Sequence, residues 1–125
     1  LNPNGYLVRA DKDGDLDYDP LTAVAWEDST KSGTGTINWN TTFGVPTTAK
    51  MVKVITYWQD DPTATWIQFK AKSTATNPSF NIYSMVVNLT DAMQGDIPIA
   101  ADGTSYYAFS ATFTAFYLRV VGWYL

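Results

Sequence analysis

Between Ala10 and Pro20 the chain reads ADKDGDLDYDP, with a carboxylate at every second position: Asp11, Asp13, Asp15, Asp17 and Asp19. Clustered carboxylates suit hard, oxygen-seeking cations, and calcium takes six to eight oxygens. The calcium-loop motif has Asp at positions one, three and five, which Asp11, Asp13 and Asp15 fill. The Asp17 carbonyl and the Asp19 side chain then fall at positions seven and nine. Leu16 stands where that motif has glycine, and Thr22 where it has a bidentate glutamate. In an extended strand all five carboxylates would share one face and repel. Two readings therefore stand side by side: a loop wrapped around Ca2+, or a solvated acidic turn punctuated by Gly14 and Pro20.

A second group with binding chemistry is Tyr57, Trp58, Gln59, Asp60 and Asp61. Sugar rings stack on aromatic faces while amides and carboxylates bond their hydroxyls, so this set is a candidate glycan contact. Tyr57 and Trp58 are neighbours on a strand, so at least one ring faces outward. Against this, Trp26, Trp39, Trp66 and Trp123 read as core or interface residues, where large rings contribute most. Asp60 and Asp61 also form a carboxylate pair of the kind glycosidases use. Adjacent aspartates on a turn fixed by Pro62 point apart, so the expectation is a protein that is not an enzyme.

Composition narrows the remaining classes. The 125 residues contain neither histidine nor cysteine, which removes Ser-His-Asp and Cys-His catalysis and zinc sites built on thiolate or imidazole. The net charge is -4 and only 16% of residues are charged. No basic patch is available to neutralise phosphates, so no nucleic-acid partner is expected. No apolar run reaches transmembrane length, so no membrane insertion is expected. The chain opens on Leu1, which reads as a fragment or a processed product.

The elements that must position these residues read as strands. TWIQFKAK (65–72) alternates, with Trp66, Gln68 and Lys70 opposite Ile67, Phe69 and Ala71. MVKVITYW (51–58), YYAFSATF (106–113) and FYLRVVGWYL (116–125) are rich in β-branched and aromatic residues. GYLVRA (5–10), TAVAW (22–26) and GTINW (35–39) are shorter strands. FNIYSMVV (80–87) is apolar on both faces, which predicts a central strand. LTDAMQG (89–95) has helical character, ADGT (101–104) reads as a hairpin turn, and Gly122 marks a bulge or a close backbone approach. The sum is an all-β fold: an antiparallel β-sandwich or jelly roll with one short helical turn. It is read as a single domain over residues 1–125, with 1–20 an acidic segment leading into it.

Two segments carry a resemblance. GTINWNTTFGVPTTAKMVKVITYWQDD (35–61) has a GVP-x-x-AK turn before a long hydrophobic strand. GTSYYAFSATFTAFYLRVVGWYL (103–125) looks like a closing hairpin with a YY entry and a VVGWY end. Together they resemble the small β-sandwich domains at the ends of bacteriophage tail fibres and related virion appendages. That resemblance implies a virion surface or extracellular role, a homo-oligomer with a trimer favoured, and contact with a host surface glycan. It brings no catalytic residues.

Three functions follow as expectations. The first is a virion attachment domain, tail fibre or capsid decoration, that oligomerises. The second is a purely structural, self-assembling decoration or filament subunit. The third is a secreted carbohydrate-binding module.

Overall fold

The computed structural model describes residues 7–9, 20–27, 31–61 and 65–125, with side chains described from residue 20 onward. The five aspartates Asp11, Asp13, Asp15, Asp17 and Asp19 lie outside the described residues, as do Asp28 and Pro62. The described strands are β1 (Leu7–Arg9), β2 (Thr34–Asn38), β3 (Met51–Gln59), β4 (Trp66–Lys70), β5 (Phe80–Tyr83), β6 (Asp91–Pro98), β7 (Thr104–Phe109) and β8 (Ala115–Tyr124). One helix, α1 (Trp39–Phe43), and a 3-10 turn over Val24–Trp26 complete the set.

The pairing follows one rule. β1 pairs with β8, β2 with β7, β3 with β6 and β4 with β5, all antiparallel. The chain is thus one long hairpin whose tip is the β4–β5 connection. Rolling that hairpin on itself adds the β3–β8 and β4–β7 pairs. The result is two four-stranded sheets, β1-β8-β3-β6 and β2-β7-β4-β5, facing each other. This is the double-sheet jelly roll.

Alternation builds the core. β3 and β4 alternate between half-buried and buried residues along their length. Val52, Val54, Ile67, Phe69, Phe116, Leu118 and Val120 are fully enclosed between the sheets. β8 carries one extra residue against β3: Lys53 faces Gly122 and Val54 faces Val120, so Val121 has no opposite number. The expected irregularity therefore falls beside Gly122.

Five expectations need correction. TAVAW is a 3-10 turn rather than a strand; only Leu21 joins the ladder, by a bridge to Val120. The turn swings Trp26 into the sandwich, edge-on to Tyr107 at 5.1 Å. LTDAMQG is no helix: most of it is the start of β6. The helix lies at Trp39–Phe43, where the Asn38 side chain accepts the Asn40 and Thr41 N–H groups at its start. Gly44, at φ 77°, ends it in a conformation that costs glycine little. FNIYSMVV stops pairing at Tyr83, and β5 is an edge strand rather than a central one. ADGT is a turn but joins no hairpin, since β6 and β7 lie in different sheets. The closing segment 103–125 is likewise a crossover, with β7 in one sheet and β8 in the other.

Candidate assembly interface

The structure parts the predicted glycan residues. Trp58 and Asp60 are buried, Tyr57 and Gln59 are half-buried on the other face of β3, and Asp61 is exposed. Tyr57 lies 5.8 Å from the Arg119 guanidinium, which also approaches Tyr117 and bonds Glu27 at 3.0 Å. Gln59 Oε1 accepts from the Thr90 hydroxyl at 3.4 Å.

Asp60 ties three segments together. Its Oδ1 accepts from the Asp61 N–H at 3.0 Å and from the Thr114 N–H at 3.2 Å. Its backbone carbonyl accepts from the Asn88 N–H at 2.9 Å. The carboxylate thus fastens the end of β3 to the β7–β8 connection, and the carbonyl fastens it to the β5–β6 connection. Among the described residues Oδ2 is buried and finds no hydrogen-bond partner.

The β5–β6 connection has an unusual surface. Ser84 is buried and its N–H bonds the Thr65 carbonyl at 2.8 Å, in register with the β4–β5 ladder. Asn88 adopts φ 57°, a left-handed conformation that Asn tolerates better than most residues. Between these anchors the side chains face solvent: Met85 is 75% exposed, Val86 55%, Val87 50% and Leu89 53%. Tyr83 before them and Met93 after them are exposed as well. Six of the eight exposed large apolar residues among those described therefore fall within residues 83–93.

Register explains why this surface is open. On β6, Met93 faces Thr56 and Asp91 faces Trp58, and both β3 residues point into the sandwich. The inner face of early β6 is thus turned toward the other sheet. β5 has already ended, so no strand covers it there. A hollow of about 20 Å³ remains, lined by Trp58, Met85, Val86, Leu89 and Asp91. β5 and β6 are both edge strands, and the free edge of β6 presents unpaired backbone groups.

The one sequence signal for this surface was the apolar character of Met85, Val86 and Val87, which reads equally well as burial. Among the described residues no group of three or more acidic side chains is gathered as a metal site. No helix among them is long and apolar enough to cross a membrane.

No protein-family model and no curated protein matches the chain. Among solved structures it is similar to the coat protein of Tobacco streak virus, at 10% identity and a TM-score of 0.39, over 99% of this chain and 85% of that one.

Proposed function

We propose that the chain is a non-catalytic structural subunit of a virion and that copies of it associate through the β5–β6 edge. The observation that carries this reading is the apolar cluster from Tyr83 to Met93 beside the outer edge of β6. Contiguous exposed apolar surface marks association sites. Asp91 is the only charged residue between Tyr83 and Met93, as suits the centre of an interface. The partner is a second copy, since soluble oligomers are mostly built from copies of one chain, with the β5–β6 edge of one molecule meeting the surface of the next. The jelly roll is also an architecture of viral capsid domains.

Finer parts of the same proposal are a tail-fibre or decoration setting, trimeric order, a virion-surface location and contact with host glycan. In the glycan contact, Tyr57, Gln59 and Asp61 are the members of the original set that reach the surface. Calcium held by Asp11, Asp13, Asp15, Asp17 and Asp19 also belongs to the proposal.

The test is the mass in solution by light scattering. The wild-type chain gives an oligomer, and Val86→Asp or Leu89→Asp gives a folded monomer. A monomeric wild type at micromolar concentration, or charged variants with unchanged mass, refutes the reading.

A further inference from the structure

Away from the β5–β6 edge, the outer face of the second sheet leads into a groove of about 510 Å³. Its floor is a row across two strands, Thr36 on β2 beside Tyr106 on β7. One wall follows β4 and presents Lys72 and Ser73; the other is the turn before β7, with Asp102 and Thr104. That turn is locked. The Gly103 N–H bonds the Ala100 carbonyl at 2.9 Å, and the Ala100 N–H bonds the Thr104 carbonyl at 2.8 Å. Asp102 Oδ1 accepts from the Thr104 hydroxyl at 2.7 Å and from the Thr104 N–H at 3.1 Å. These bonds hold the carboxyl below its ordinary range, so it is ionised at neutral pH and stands as an acceptor on the groove wall.

We propose that this groove binds a neutral saccharide unit. The lining offers four hydroxyls: those of Thr36, Ser73 and Tyr106 both donate and accept, and that of Thr104, whose proton goes to Asp102, accepts. Lys72 adds a donor and Asp102 an acceptor on opposite walls. A sugar ring carries hydroxyls that also do both, so each polar group finds a partner. An apolar ligand would desolvate the same hydroxyls without replacing their bonds. A phosphate would be drawn by Lys72 and repelled by Asp102. The Tyr106 ring and the methyl groups of Ala71, Ala100 and Ala101 give the C–H face of a sugar an apolar surface. The volume falls in the usual range of small-molecule sites, about 300–1,000 Å³. The site is separate from Tyr57–Asp61, which lie along β3 and its end in the other sheet, and it does not depend on assembly through β6.

The experiment is a titration of the full, nitrogen-15-labelled chain with glucose, galactose, mannose and N-acetylglucosamine, each to about 50 mM, a range that detects the millimolar affinities of single sugar units. At least one sugar shifts the amide signals of Thr36, Ser73, Thr104 and Tyr106. Ala101→Trp, whose side chain fills the groove, abolishes the shifts, and the exposed Lys72→Ala weakens binding at least about threefold with the melting temperature unchanged. No groove shifts with any of the four sugars would overturn the proposal. So would shifts that persist in Ala101→Trp, or inorganic phosphate shifting the same signals at lower concentration than any sugar.

Discussion

A Cβ atom added to Gly95 would lie against the ring of Phe80. Gly95 is on β6 and Phe80 on β5, so this contact joins the two edge strands across the sandwich. Phe80 in turn stacks on Phe69 at 5.9 Å. Gly95→Ala must push the Phe80 ring off that stack, and overpacking of this kind costs about 1–3 kcal/mol. The denaturant midpoint should fall by the corresponding amount, with the slope unchanged.

Trp39 donates its indole N–H to Ser105 Oγ at 2.8 Å, and that hydroxyl donates to the Pro98 carbonyl at 2.6 Å. One buried hydroxyl thus links α1, β7 and β6. Ser105→Ala leaves the buried indole donor without a partner, at a cost of about 1–3 kcal/mol. Exposed Thr47→Ala, which removes no such bond, stays within about 0.5 kcal/mol of wild type in the same denaturation assay.

Seven of the eight described strands were legible in the residues: β1, β2, β3, β4, β5, β7 and β8 form within or overlapping the runs read as strands, and only β6 was not read as one. Which strand meets which was not legible, because every rung of the rolled hairpin except β4–β5 joins segments distant in sequence. Residues 89–95 misled because Leu89, Ala92 and Met93 have the spacing of a helix face. That spacing reflects an edge strand whose inner face lost its cover. The helix at Trp39–Phe43 was missed because GTINW reads as an uninterrupted strand through Trp39. At the candidate site, alternation placed one of Tyr57 and Trp58 outward, and the outward one is Tyr57. The exposure of Met85, Val86 and Val87 follows from where β5 stops pairing with β4, which no local pattern in the residues marks.

Asp102 gives a pH signature. Its folded carboxyl is held below the ordinary 3.8, first by the Thr104 hydroxyl and then by the Thr104 N–H. A depressed carboxyl adds stability above the unfolded value, and that stability is lost as the pH falls through the folded value. Asp102→Asn should therefore lower stability at neutral pH slightly and flatten the acid limb of the melting curve. Carbon-13 titration of the carboxyl should show the depression, and Thr104→Val should relieve it.

Arg9 pairs with Gly122 and Leu21 bridges Val120, so the chain leaves β8 and rejoins it two residues further along. The proposed calcium coordination by Asp11, Asp13, Asp15, Asp17 and Asp19 would stabilise the folded state by mass action, about 2.7 kcal/mol at a hundredfold excess over Kd. The melting temperature should rise with calcium and much less with magnesium, which demands a smaller octahedral shell. Asp13→Asn should weaken the rise. Coincident melting curves in calcium and in chelator would leave the segment a solvated acidic turn.

Hydrogen exchange at two protein concentrations tests the assembly surface most directly. Self-association through the β5–β6 edge predicts that the amides of residues 84–95 exchange more slowly in the concentrated sample. Those of Val120, Gly122, Trp123 and Tyr124 on β8, which have partners on both sides, should exchange equally in both. Identical exchange of residues 84–95 at both concentrations, with the oligomer present by mass, would place the interface elsewhere and contradict the account.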